Sequence, residues 1–109
     1  MTADDQTVER AGRALADAAS SPAQVFLFGS RARGDHAADS DFDFLVVQSE
    51  VEDRFAEAVS LSKVLGRLRV PGDVVVVDQA HFDAWSTVSG TAIYDAAHDG
   101  RLVAESRAA

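Results

Sequence analysis

Apolar residues recur at helical spacing from the start of the chain. Val8, Ala11, Gly12, Leu15, Ala18 and Ala19 fall three or four positions apart, which places them on one side of a helix. Asp4 and Asp5 suit the positive end of that helix, and Ser20-Ser21-Pro22 ends the pattern. Two compact apolar runs follow, QVFLF at 24–28 and FDFLVV at 42–47, and each predicts a short strand. Ser49 with Glu52 reads as a capping box, after which Phe55, Ala58, Leu61, Leu65 and Leu68 line one face of a long helix despite Gly66. Pro71-Gly72 turns the chain into DVVVV at 73–77, an unbroken β-branched run that suits a strand covered on both faces. Two shorter helices are expected near 79–86 and 90–98, with Asp78 capping the first and Gly100 stopping the second before RLV. The order α-β-β-α-β-α-α, with room for a short C-terminal strand, predicts an α/β domain of the α+β kind built on a mixed sheet.

The lengths of the connections orient the strands. The segment between the first and second strands is too short for a parallel crossover, so these two are expected to run antiparallel. A full helix separates the second and third, which makes that pair parallel. Alternate residues of a strand share a face, so Asp41 and Asp43 project together at the start of the second strand, beside the end of the first. Parallel neighbours begin at the same edge, and Asp73 opens the third strand there. Asp78 would lie about 16 Å further along and is excluded from the cluster.

Composition narrows the setting. The chain has 109 residues and is expected to form one domain, 1–109, around a single modest core. Its formal charge of −8 argues against general nucleic-acid binding, which needs a basic face, although nearly all its basic residues are arginines suited to local anion sites. There is no cysteine for a disulfide or thiolate metal site, and MTADDQTVER lacks the basic flank and apolar core of a signal peptide. No apolar run approaches membrane-spanning length. The expectation is a cytoplasmic protein that does not use a membrane.

The segment GSRARGDHAADSDFD, residues 29–43, carries the candidate chemistry. Three carboxylates meeting at one sheet edge repel one another, and their all-oxygen donor set is what a hard divalent ion such as magnesium prefers. Magnesium combines few protein carboxylates with substrate phosphate, so the cluster points to a nucleotide site. Gly29 lets the backbone approach a phosphate, and a short helix starting at Ser30 would aim N–H groups at the anion. Arg31 and Arg33 are close enough to add positive charge, or to pair with Asp35 or Asp39. Two ions roughly 4 Å apart would activate an acceptor hydroxyl and stabilise leaving pyrophosphate, which is nucleotidyl transfer. His36 in the loop reads as a solvated histidine in preference to a nucleotide contact, His81 and His98 show no ligand spacing, and Phe82, Trp85 and Tyr94 read as core or partner-contact residues. The acids at 50–57 read as a solvated face. No P-loop or dinucleotide-binding glycine pattern competes.

Gly29-Ser30, ten intervening residues and Asp41-Phe42-Asp43 resemble the signature of the polymerase-beta nucleotidyltransferase superfamily. GSRARGDHAADSDFDFLVV, with Gly34 and Ser40, is similar to the minimal nucleotidyltransferases. GDVVVVD resembles the strand bearing that family's third carboxylate, and GTAIYDAAHDGRLV its C-terminal tail. The resemblance implies a polymerase-beta-like core, with Asp41, Asp43 and Asp73 as catalytic metal ligands and Gly29 and Ser30 on the nucleotide phosphates. It also implies two magnesium ions and ATP as donor. The minimal members resemble antitoxins that place AMP on a tyrosine hydroxyl of a HEPN-domain toxin, so a HEPN-type partner is expected to supply the acceptor. A non-catalytic antitoxin that acts by occlusion, and transfer to a small molecule such as an antibiotic, remain the alternatives.

Overall fold

In the computed structural model, residues 3–34 and 41–106 are described. They form α1 (Ala3–Ala18), β1 (Ala23–Phe28), α2 (Ser30–Arg33), β2 (Phe42–Gln48), α3 (Arg54–Leu68), β3 (Gly72–Asp78), α4 (Gln79–Trp85), α5 (Ala92–His98) and β4 (Arg101–Glu105). The sheet order is β3-β2-β1-β4. As the connection lengths require, β1 and β2 are antiparallel and β2 and β3 parallel, while β4 pairs antiparallel with β1. The C-terminal strand is therefore present and fills the outer edge beside β1. The pairings expected for Asp35 and Asp39, and the positions of His36 and Ser40, lie outside the described residues.

Alternation along β2 divides the core. Phe42, Phe44 and Val46 pack with Val8, Ala11 and Leu15 of α1 and Leu61, Val64 and Leu65 of α3. Leu45 and Val47 point the other way, onto Val77, Ile93 and Ala96, with Phe26, Phe28 and Phe82 alongside. Both faces of β2 are thus buried, and each fully buried Leu or Phe side chain contributes roughly 1.5–3 kcal/mol relative to exposure. Among the α1 residues, Ala16 is buried whereas Ala18 is exposed, so the apolar stripe is rotated slightly from the spacing-based expectation.

Three expectations change. The long helix is capped by Asp53, whose carboxylate accepts from the amides of Phe55 and Ala56 at 3.1 Å each, not by Ser49 and Glu52. Ser49 is held in the sheet connection, where its amide donates to Pro22 O at 2.9 Å, and cannot also begin a helix. Phe55 is 75% exposed, because the first turn of α3 overhangs the β3 edge instead of the sheet face. β3 is an edge strand, and only Val76 and Val77 are fully buried while Val75 is 36% exposed. Its outer edge, with Phe55 and Ala58 on one side and His81 and Trp85 on the other, borders an apolar groove of about 530 Å³. Asp78 behaves as expected, accepting from the His81 amide at 2.7 Å to cap α4.

Candidate active site

The carboxyl end of β1 and the amino ends of β2 and β3 meet at one edge of the sheet. Phe28 is in register with Asp43, and Asp43 with Asp73. Directly paired residues of neighbouring strands share a face, so Asp43 and Asp73 lie side by side on the face that carries α4 and α5. Asp41, two residues before Asp43, belongs to the same side. Strand parity, as expected from the spacing, sets Asp43 directly beside Asp73.

Gly29 closes the other flank. Its φ of +78° and ψ of −159° are essentially restricted to glycine, and a Cβ there would collide with Oδ2 of Asp43. The carboxylate therefore packs directly against the turn. Gly29 O accepts from the amides of Ala32 and Arg33 at 3.1 and 3.2 Å, which starts α2, and no side chain caps that helix. Gly34, at φ +83°, ends it in the left-handed region, its amide donating to Ser30 O. Gly72 serves the opposite flank, since a Cβ there would lie 2.6 Å from the Phe42 carbonyl oxygen. Glycines thus let both the Gly29 turn and the β3 backbone pack closely at the head of β2.

The electrostatics are those of a cluster of like charge. Burial pushes the Asp43 carboxyl above its usual value, and the neighbouring Asp73 and Asp41 carboxylates push it further. Arg33 partly opposes them. A hard divalent cation would offset the repulsion and stabilise the charged form against its burial, and the donors are oxygens only, so the residues fit magnesium chemistry. Among the described residues, no three such side chains are already gathered at ligation range. The fit therefore rests on donor chemistry and the shared field.

The two arginines separate. Arg33 is exposed, and its charge is felt at Asp43. Arg31 turns to the α1 side of the sheet, where its side chain is 8% exposed, Nη1 donates to Asp4 Oδ2 at 2.8 Å, and Cζ lies 4.2 Å from the Phe42 ring centroid. The structure does not bring Arg31 to the carboxylates. Asp4, which the sequence marks only as a favourable charge at a helix start, is the partner the structure gives Arg31. Tyr94 and His98 stack on each other with centroids 4.0 Å apart on α5, and His81 stacks on Trp85 at 5.7 Å.

A mixed four-stranded sheet with this carboxylate-bearing edge has the architecture of a polymerase-beta-like nucleotidyltransferase core. The chain belongs to the family described as the nucleotidyltransferase domain, whose sequence pattern matches residues 9–99. No curated protein matches the chain significantly. Among solved structures, a chain from Sulfolobus solfataricus named as a nucleotidyltransferase is 24% identical, with a TM-score of 0.62, covering 90% of this chain and 77% of its own. A chain of a toxin–antitoxin complex with AMP-PNP is 21% identical, with a TM-score of 0.56 and coverages of 93% and 73%. Another, from a complex of tri-AMPylated Shewanella oneidensis HEPN toxin with MNT antitoxin, is 21% identical, with a TM-score of 0.53 and coverages of 92% and 71%. At these identities the likeness is one of fold.

Proposed function

We propose that this nucleotidyltransferase is magnesium-dependent and transfers AMP from ATP to a hydroxyl on a partner protein of the HEPN type, as an antitoxin would. The observation that carries the reading is the register of Asp43 against Asp73 beside the Gly29 turn. The fold likeness to chains from complexes of HEPN toxin with MNT antitoxin and of a toxin–antitoxin pair with AMP-PNP supports the choice of partner and donor.

Asp41, Asp43 and Asp73 would hold the divalent ions. When bound, such ions neutralise triphosphate charge and make an acceptor hydroxyl more acidic. Gly29 and Ser30 would receive the phosphates, with the bare start of α2 offering backbone N–H donors and Arg33 adding charge at the exposed rim. Asp73 is exposed at the head of the edge strand, which leaves an incoming acceptor room to approach from that side. In the transfer, the acceptor oxygen bonds to the α-phosphorus, the bond from that phosphorus to the bridging oxygen breaks, pyrophosphate departs, and the hydroxyl proton passes to a carboxylate or to solvent.

The test is incubation with magnesium, labelled ATP and the protein encoded next to it. The expected result is an AMP-sized mass gain on the partner that disappears with Asp43→Asn. No mass gain, with the variant neutralising its partner as well as wild type does, would favour occlusion instead.

A further inference from the structure

Arg31 sits at a junction of three elements. It lies in the first turn of α2, immediately after the Gly29-Ser30 turn. Its guanidinium pairs with Asp4 in the first turn of α1 and covers the ring of Phe42, the residue between Asp41 and Asp43. Phe42 is itself fixed on the far side, where its amide donates to Pro71 O at 2.9 Å and its backbone is in register with Gly72. A planar cation buried against an aromatic face and held by a carboxylate is a directional contact.

From this geometry we infer that Arg31 is a positioning residue for the proposed transfer. Anchored by Asp4, it sets the spacing between the phosphate-side turn and the carboxylates by pressing on Phe42 from the face of the sheet opposite Asp43. The inference rests on the function proposed above. Its geometry is unlike that of a phosphate ligand, because the side chain is already buried on the α1 side and its charge is answered by Asp4. Arg33, two positions on, points elsewhere, as residues i and i+2 of a helix must.

Displacing reacting groups by about 1 Å costs on the order of a hundredfold in rate. Arg31→Met keeps an apolar chain over Phe42 but loses the charge and the plane. It is expected to lower kcat about 10- to 100-fold while KM for ATP stays within about threefold. Asp4→Asn, a change at the solvent-facing end of the pair, should move kcat in the same direction, and the double variant should be no worse than Arg31→Met alone. A rise in KM of about tenfold or more with kcat retained would make Arg31 a direct phosphate ligand and overturn the inference. So would wild-type kinetics in Asp4→Asn. If Arg31→Met melts below the assay temperature, Asp4→Asn alone decides. Calorimetric binding of Mn²⁺ alone separates this inference from the proposed function. In a wild-type protein that transfers nothing, weaker Mn²⁺ binding by both variants would still uphold the positioning role, and unchanged binding would refute it.

Discussion

The two faces of the sheet at its carboxylate-bearing edge are built on opposite terms. On the α1 side the charges near the edge are paired among the described residues, with Arg31 held by Asp4 and laid over Phe42, and Arg101 near Asp5 at 3.5 Å. On the α4 and α5 side Asp43 stands among like charges, opposed among the described residues by Arg33, and burial raises its affinity for a proton. The difference teaches that the fold sets a repulsive cluster on one face directly behind a charge-paired, aromatic-packed face on the other. Phe42 and Asp43 are neighbours in sequence but belong to these two regimes.

The largest effect is expected where the comparison is broken outright. Asp43→Asn should reduce transfer on the order of a thousandfold while circular dichroism and oligomeric behaviour stay as in wild type. Gly29→Ala attacks the contact between turn and carboxylate. It forces a side chain into a glycine-only conformation and against Asp43, and should cost about 1–3 kcal/mol in chemical denaturation and also reduce transfer.

Much of the repulsive face was legible in the sequence, because strand parity and the crossover rule depend only on spacing. Asp41, Asp43 and Asp73 follow from counting residues between turns, without any knowledge of side-chain packing. The satisfied face was not legible. Arg31 and Arg33 look equivalent in GSRARG, but a four-residue helix sends them in different directions, and only the tertiary position of α1 supplies Asp4 as a partner. The run of four valines in β3 could not distinguish a covered strand from an edge, since β-branched residues suit both. Two capping candidates competed before α3, and the sheet's claim on Ser49 left the role to Asp53.

Asp53→Ala sharpens the comparison by acting far from both faces of the edge. Losing its two accepted amide bonds should cost about 1 kcal/mol in denaturation, with kcat unchanged. The smallest effect concerns pH in the presence of a chelator. Because the Asp43 carboxyl is raised above about 3.8 in the folded state, the native protein binds its proton more tightly than the unfolded chain does. The stability this contributes is complete below that pH and is lost as pH rises through the folded value. Chelated wild type should therefore lose stability relative to Asp43→Asn as the solution is brought from acid toward neutral, a difference read as diverging melting temperatures. Parallel curves would mean that neither burial nor the neighbouring carboxylates raises the Asp43 carboxyl.

The central claim is that carboxylates from β2 and β3 form a site for a shared divalent cation. Titrating magnesium with AMP-PNP into wild type and Asp43→Asn in a calorimeter tests it most directly. Saturable heat in wild type and its loss in the variant is the predicted result. Equal heats in both proteins, or none in either, would contradict it.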